Sequence, residues 1–325
     1  MTASLPRTGL TVSRKSPASG KKPLDLFEGR PDKYLKTRGL GGSCRRPTRL
    51  SGGPSSCSLR LEPSLLLTSV RSFFGLGTKS EPVPAIGGRR RIEFDPEDTV
   101  VYAIGDVHGC FAELKAAEQR IIEDAAHIQV SRRIILCLGD LVDRGPRSAD
   151  VLDHLTGPPP GGFERLSLCG NHDETFLSFV DDPQANMGWL EFGGEQTLES
   201  YGIDLTRIAR HRGGLRDIVR ATVPEAHVAF LKQLPVSVRF GSALFVHAGV
   251  RPGVPLEEQD EDDFMWIREP FVSQPHGLGL TVVHGHTPAN EPVFAPGRIG
   301  IDTGAFATGR LTVLRVFESE ATVIH

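Results

Sequence analysis

From residue 95 onward, the spacing of hydrophobic and polar positions alternates between two patterns. Buried strands are predicted for the short apolar runs at 99–105, 133–138 and 164–169. Helices are predicted at about 110–126, at about 147–155 and from about 173. In the first helix, Leu114, Ala117 and Ile121 recur on one face. This alternation of strand and helix predicts right-handed βαβ units and an α/β fold.

The second half of the domain is expected to contribute a helical cap and a second sheet. Residues 182–234 show mostly helical patterning, and we expect them to cover one side of a crevice. The runs at 236–240 and 243–247 predict a hairpin that turns at Gly241 and Ser242. Further strands near 280–284, 298–302 and 311–317 are expected to complete a partly antiparallel second sheet. Together these elements predict one folded domain that spans 95–325.

The first 91 residues differ sharply in composition from the rest. They are rich in Ser, Gly, Pro and Arg, and they carry 18 Lys and Arg against 5 Asp and Glu. Such a segment buries too little apolar surface to offset its ordering entropy, so a disordered basic tail is predicted. Two other interpretations stay open, namely an organelle targeting segment and a start site placed too far upstream. A basic tail can also attract polyanions or anionic membrane surfaces.

Composition also limits the classes of function. Residues 92–325 carry 19 basic against 35 acidic side chains, which argues against nonspecific nucleic-acid binding. No apolar run approaches the roughly 18 residues that span a bilayer. The five cysteines form no disulfide framework, and their odd number fits a reducing, cytoplasmic compartment. They are Cys44, Cys57, Cys110, Cys137 and Cys169.

Five short segments place metal-capable side chains beside glycine, mostly directly after a predicted strand. They are Gly105-Asp106-Val107-His108-Gly109, Gly139-Asp140-Leu141-Val142-Asp143-Arg144-Gly145, Gly170-Asn171-His172-Asp173, His247-Ala248-Gly249 and His284-Gly285-His286-Thr287. Strands that end in such residues direct them into the crevice at the carboxyl edge of a sheet. Carboxylate, amide and imidazole ligands without thiolate suit two divalent ions held close together for phosphate-ester hydrolysis.

In this order and spacing, the five segments resemble the phosphoprotein phosphatase branch of the calcineurin-like metallophosphoesterases. The likeness covers roughly residues 98–318 and is greatest to bacterial and phage serine/threonine phosphatases and to symmetrical diadenosine tetraphosphate hydrolases. It implies a sandwich of two mixed β-sheets flanked by helices.

The resemblance also implies a ligand set. Asp106 and His108 would hold one ion together with Asp140. Asn171, His247 and His286 would hold the second, again with Asp140 as the bridging carboxylate. The donor types suit Mn²⁺, with an Fe/Zn pair as the alternative. A water between the ions would become the hydroxide nucleophile. Taken one at a time, an Asp after Gly is as often a helix cap as a ligand, so the joint pattern carries the prediction.

Four further residues match the catalytic machinery of the family. His172 resembles the general acid, and Asp143 would hold its imidazole in one orientation. Arg144 and Arg268 match the two phosphate-binding arginines, whose planar cations suit phosphoryl oxygens. Two more residues have other expected places: His284 would orient a ligand, and Asp302 would either line the site or serve as a structural turn.

The predicted function is hydrolysis of phosphoserine and phosphothreonine, and of phosphotyrosine in some substrates, in proteins and peptides. The first alternative is hydrolysis of diadenosine tetraphosphate with the same metals and a different cap. A non-catalytic metal-bound scaffold is the alternative of another class, but it would have no use for a general acid or a phosphate clamp. The segment 189–202 has a form shared by both enzyme branches and does not decide between them.

Overall fold

The fold is known from a computed structural model that describes residues 11–12, 88–208 and 214–325. The strands are β1 Thr11–Val12, β2 Arg91–Phe94, β3 Thr99–Ile104, β4 Arg132–Cys137, β5 Glu164–Ser167, β6 Ser237–Phe240, β7 Ala243–Val246, β8 Thr281–His284, β9 Val293–Ala295, β10 Arg298–Gly300, β11 Val313–Phe317 and β12 Glu320–Ile324. The α-helices are α1 Phe111–Ala125, α2 Ser148–Thr156, α3 Asn171–Asp181, α4 Gly194–Ser200, α5 Leu205–Ile208, α6 Leu215–Thr222, α7 Glu225–Gln233, α8 Glu261–Trp266 and α9 Ala305–Thr308. Within these described residues, 3₁₀ helices span Met187–Phe192 and Leu256–Glu258.

The strands form two mixed six-stranded sheets. The first sheet has the order β1-β12-β11-β3-β4-β5, in which β3, β4 and β5 are parallel. The second has the order β2-β6-β7-β8-β10-β9, with β6 antiparallel to β7 and β8 parallel to both β7 and β10. The predicted sandwich of two mixed sheets flanked by helices is therefore confirmed.

Alternation along β3 explains how the first sheet is covered on both faces. Val101 and Ala103 belong to the apolar layer between the sheets, where they share a cluster with Phe240 and Phe245 of the second sheet. Their neighbour Tyr102 belongs to the other cluster, which contains the buried face of α1, including Leu114. Since successive side chains of a strand point to opposite faces, one strand contributes to both cores. Complete burial of one such large apolar side chain contributes about 1.5–3 kcal/mol.

The predicted strands and helices between 99 and 181 are observed with shifts of one or two residues at most ends. The predicted hairpin is also observed, as the antiparallel pair β6 and β7. The segment 182–234, predicted to be helical, contains several short helices between Met187 and Gln233, and its role as a cap stays a prediction. The residues 209–213 lie outside the described part of the chain, as do Cys44 and Cys57.

One strand assignment was wrong. We expected the run at 311–317 to complete the second sheet, but β11 pairs antiparallel with β3 in the first sheet. Its Leu314 and Val316 fill the layer between the sheets from that side. The apolar pattern of a strand indicates that the strand is buried, but it does not indicate which sheet the strand joins. The strands β1, β2, β9 and β12 were not predicted, and both β1 and β2 begin inside the segment predicted as a tail.

The topology brings the polar segments to one edge. The loops after β3, β4 and β5 leave the carboxyl ends of three parallel neighbours in the first sheet. The segments after β7 and β8 leave the matching ends of two parallel neighbours in the second sheet. Ligand sites in open α/β sheets lie at such carboxyl edges.

Candidate active site

The backbone of this edge is unusually strained. Five non-glycine residues in its loops have positive φ angles, a conformation that costs of order 1–3 kcal/mol at each position. They are His108 (44°), Asp140 (46°), Asp143 (74°), Arg144 (68°) and His286 (60°). The loops are pinned to one another, since Val107 and His108 both donate backbone N–H groups to the carbonyl of Asp140, at 3.1 and 2.7 Å. Strain of this kind is concentrated where a fixed side-chain arrangement is needed.

Asp140 joins two groups of candidate metal ligands. His108, Asp140 and His172 place ligand atoms within 4.8 Å of one another, and so do Asp140, His247 and His286. The Oδ2 atom of Asp140 lies 3.4 Å from His108 Nε2, and its Oδ1 atom lies 3.3 Å from His247 Nε2. One carboxylate therefore faces both groups with different oxygens, as the predicted bridging role requires.

The histidines are oriented to present lone pairs. His108 Nδ1 donates to the carbonyl of Val142 at 2.9 Å, and His247 Nδ1 donates to that of Leu138 at 3.0 Å. Each Nε2 is then unprotonated and directed into the site. Burial lowers the pKa of both histidines, and Arg144 lowers that of His108 further, which favours the neutral, metal-binding form.

In the second group, acceptor atoms converge. His247 Nε2 lies 3.0 Å from Asn171 Oδ1 and 3.3 Å from a carboxylate oxygen of Asp140. Three lone-pair-bearing atoms at such distances repel one another unless a cation lies among them. The donor set of two imidazoles, one amide oxygen and one carboxylate fits a divalent ion.

Asp106 supplies an independent indication of a cation. Its Oδ2 accepts the backbone N–H of His286 at 3.0 Å, but its buried Oδ1 has no hydrogen-bond partner. Burial, followed by the charges of Asp302 and Asp140, raises the pKa of Asp106 well above its ordinary value. Burial also raises the pKa of Asp302, to about 6. A buried carboxylate cluster with an unpaired oxygen is costly without a positive charge, so the residues fit the two-metal site that the family implies.

The predicted acid is held by a network that reaches into the cap. His172 Nδ1 donates to Asp143 Oδ2 at 2.7 Å, and the same oxygen accepts the indole N–H of Trp189 at 2.7 Å. The hydroxyl of Thr197 donates to Asp143 Oδ1, also at 2.7 Å. Burial alone would lower the pKa of His172, but Asp140 and the bond to Asp143 outweigh it and raise this pKa. His172 Nε2 faces the site.

Asp173 has a structural place in the site. Its Oδ1 accepts the backbone N–H of Leu141 and its Oδ2 that of Gly170, both at 2.9 Å. It thereby ties the loop that carries Asp140 to the first turn of α3, which carries Asn171. Burial raises the pKa of Asp173 to about 7.

The two arginines lie at different sides of the ligand groups. Arg144 contacts His108 Nε2 at 3.1 Å and His172 Nε2 at 3.0 Å, while its backbone N–H donates to the carbonyl of Gly193 at 3.0 Å. Arg268 is exposed and donates to the backbone carbonyl of His286 at 3.5 Å. Positive charge therefore lies beside each group, although the arginine roles stay predictions.

The structure brings the predicted site residues to one edge, with Arg268 at its periphery. His284 is buried and Nδ1 bonds to the carbonyl of Gly285 at 3.0 Å, so it shapes the turn before His286. Sequence reasoning missed Trp189, Thr197 and the exposed Phe306. For the contact between this segment and the site, the sequence offered one signal, the Gly-Gly pair at 193–194. The backbone carbonyl of Gly193 accepts the backbone N–H of Arg144.

Comparison with known proteins agrees with this geometry. The sequence model of the calcineurin-like phosphoesterases matches residues 99–310. The chain belongs to this family. Among the described residues, no helix of this metallophosphoesterase is long and apolar enough to cross a membrane.

Individual relatives are distant. The asymmetrical bis(5'-nucleosyl)-tetraphosphatase PrpE of Anoxybacillus flavithermus is 24% identical over 239 residues, which cover 68% of this chain and 92% of that protein. A symmetrical bis(5'-nucleosyl)-tetraphosphatase of Methylococcus capsulatus is 30% identical over 152 residues, which cover 47% of this chain and 44% of the relative. The crystal structure of a candidate diadenosine tetraphosphatase superposes with a TM-score of 0.52 at 22% identity, covering 73% of this chain and 98% of the other. This last similarity shows the shared fold.

Proposed function

We propose that this metallophosphoesterase hydrolyses a phosphoanhydride bond of a bis(5'-nucleosyl) tetraphosphate. The observation that supports this substrate class is the similarity to relatives that carry that activity in their names, over 92% of the length of the PrpE protein. This departs from the protein phosphatase activity predicted from the sequence and favours its alternative. The reaction type itself is supported by the site, where Asp140 joins two ligand groups beside a cationic side chain.

Different residues of the chain would bind the metal ions and the phosphate groups during hydrolysis. Asp106, His108, Asp140, Asn171, His247 and His286 would hold two divalent ions, for which Mn²⁺ is our candidate. When bound, such ions supply positive charge and make water a nucleophile near neutral pH. Arg144 and Arg268 would bind oxygens of the phosphate chain, whose negative charge increases in the transition state.

His172 would give a proton to the departing oxygen. Attack of water on phosphorus forms one P–O bond and releases one proton to solvent, from which His172 is later reprotonated. The bridging P–O bond breaks, and its electron pair leaves with one nucleotide. The imidazolium of His172 donates its Nε2 proton to that oxygen, while Asp143 holds the ring by its Nδ1–H. A phosphate leaving group has a pKa of about 6 and needs less protonation than a serine alkoxide. The substrate class therefore sets how strongly the reaction depends on His172.

The test compares three substrates on one preparation of the full-length protein: diadenosine tetraphosphate, a phosphoserine peptide and p-nitrophenyl phosphate. We expect kcat/KM for the dinucleotide to exceed that for the peptide by more than about tenfold, a difference of about 1.4 kcal/mol in transition-state binding. Chromatography of the products separates the two modes of cleavage, since two ADP indicate symmetrical and ATP with AMP indicate asymmetrical cleavage. Faster hydrolysis of the peptide would overturn the proposal in favour of the protein phosphatase.

A further inference from the structure

Phe306 is a large apolar side chain that stays exposed beside the predicted metal ligands. Its exposed fraction is 37%, although it follows the buried Ala305 in the one-turn helix α9. The ring lies edge-on to His108, with 5.5 Å between ring centroids. The guanidinium carbon of Arg144 lies over the ring, 4.9 Å from its centroid. The ring therefore contacts a predicted ligand and the predicted phosphate clamp.

The loop that carries Phe306 is fixed at both ends. Gly304 and Gly309 flank α9 with φ angles of 61° and 67°, values that glycine adopts without steric cost. The hydroxyl of Thr308 donates to the carbonyl of Thr303 at 2.8 Å, and the backbone N–H of Gly309 donates to that of Ala305 at 2.8 Å. This turn holds the ring in place at the site, so little ordering entropy is left for a ligand to overcome.

Packing of the core does not require this exposed ring. The neighbouring Ala305 is 3% exposed and supplies the buried contact of α9. An aromatic ring at the rim of a charged site offers an apolar, polarisable face to the organic part of a substrate. Nucleotides combine the two groups that this pair of side chains would contact, since a ribose joins phosphate oxygens for Arg144 to an aromatic base for Phe306.

We propose that Phe306 is a specificity-determining residue that stacks on a nucleobase of the substrate. This deepens the proposed function and rests on it for the identity of the substrate. The stacking role itself requires only that this site bind a nucleotide more tightly than it binds the same phosphate groups without a base. Stacking of one base on an aromatic side chain corresponds to an affinity gain of about 5- to 100-fold.

The experiment measures binding of ADP and of inorganic pyrophosphate by titration calorimetry to the full-length, Mn²⁺-loaded protein. We expect the wild type to prefer ADP. The substitution Phe306→Ala should weaken ADP binding by about 5- to 100-fold and leave pyrophosphate binding unchanged. Phe306→Tyr should keep the preference, whereas Phe306→Leu, which retains an apolar side chain without a π face, should lose most of it. Ile122→Ala is the matched control, because Ile122 is 39% exposed and lies outside the buried face of α1.

Each contrary result overturns the inference. A wild type that binds pyrophosphate as tightly as ADP would show that no base is recognised. An equal loss for both ligands in Phe306→Ala and Phe306→Leu would assign the ring to positioning of Arg144, and an unchanged ADP affinity would assign it no role. If diadenosine tetraphosphate is not hydrolysed while the ADP preference depends on Phe306, the proposed function fails and the stacking role stands.

Discussion

At the scale of single residues, two buried carboxylates of the carboxyl-edge loops have opposite surroundings in space. Asp143 is completely buried, and its oxygens accept from His172, Trp189 and Thr197. Asp106 is almost as deeply buried, yet its Oδ1 accepts from no protein group. A carboxylate satisfied by protein donors orients a catalytic group, whereas an unsatisfied one is free to bind a cation.

This difference leads to a prediction that separates the acid from the ligands. His172→Asn should lower kcat for a phosphoserine peptide by roughly 10²–10⁴ through loss of proton donation, with the metal content unchanged. The loss should be smaller for diadenosine tetraphosphate and for p-nitrophenyl phosphate, since their leaving groups need less protonation. Steady-state kinetics and elemental analysis of the same samples check both statements.

Asp140→Asn is the contrasting variant, because it replaces the charge that faces both ligand groups with a neutral amide. It should lose metal as well as activity. If His172→Asn loses its metal as Asp140→Asn does, then His172 is a ligand and the acid has been wrongly assigned.

The sequence was most informative where several metal-capable residues stand together at the ends of predicted strands. Asp140 lies just after one predicted strand and His247 ends another, so the predicted fold alone was enough to place them together. Trp189 could not be assigned in this way, because a tryptophan in an amphipathic segment is normally a core residue. Its indole N–H meets Asp143 only through the tertiary packing of the cap, 46 positions away in the chain.

At the scale of elements, the carboxyl-edge loops pack so closely that particular glycines are required. A Cβ atom on Gly285 would lie 1.9 Å from Asp106 Oδ1, and one on Gly145 would lie 2.1 Å from the carbonyl oxygen of His108. Both are shorter than any non-bonded contact between such atoms. The turn after β8 and the loop after β4 thus press against the ligand loop after β3.

We therefore predict that Gly285→Ala displaces Asp106 and reduces metal affinity by about 10- to 100-fold, the range seen when the support of a metal ligand is lost. Gly161→Ala is the matched control. It lies in the loop between α2 and β5, its added Cβ would meet nothing within 4 Å, and its φ angle is not positive. The metal affinity of both variants is measured by titration with metal, with enzyme activity as the readout. Equal metal affinity in the two alanine variants would contradict the close packing around Asp106.

Some strands could not be predicted, or could not be assigned to the correct sheet, from the spacing of apolar residues. The spacing of apolar residues predicted β3, β4 and the hairpin of β6 and β7, since each has a clear run with a turn signal after it. It did not predict β2 or β9, which have only four and three residues. It also assigned β11 to the wrong sheet. Pairing between Leu314 and Ala103 joins positions over 200 residues apart, and such a pairing leaves no local signal.

At the scale of the whole molecule, the basic excess of the chain lies before the catalytic domain. The first described residues of that domain are anchored in it. Arg89 donates to the carbonyls of Leu231 and Leu234 at 2.9 and 3.1 Å, and Val236 donates its backbone N–H to the carbonyl of Arg90 at 3.0 Å. The strand β2 then pairs with β6 along four residues. A boundary for the catalytic domain therefore belongs before Arg89.

A shortened protein that begins at Gly88 should fold, bind metal and keep the kcat/KM of the full chain for p-nitrophenyl phosphate. It loses the pairing of β1, which involves only two residues at the edge of the first sheet. A protein that begins at Asp95 is the control, since it also loses β2 and its partly buried Ile92 and Phe94. It should unfold at lower temperature than the Gly88 form. An insoluble or metal-free Gly88 form would show that the basic segment is part of the fold.

The dependence of activity on metal tests the dimetal centre most directly. The full-length protein is treated with EDTA until elemental analysis finds no divalent metal. Hydrolysis of diadenosine tetraphosphate and of p-nitrophenyl phosphate is then followed during titration with Mn²⁺. Because the ligand groups meet at Asp140 and contain no thiolate, activity should be absent at the start. It should return to a plateau at about two ions per chain. Full activity of the protein with verified absence of metal would contradict the dimetal centre.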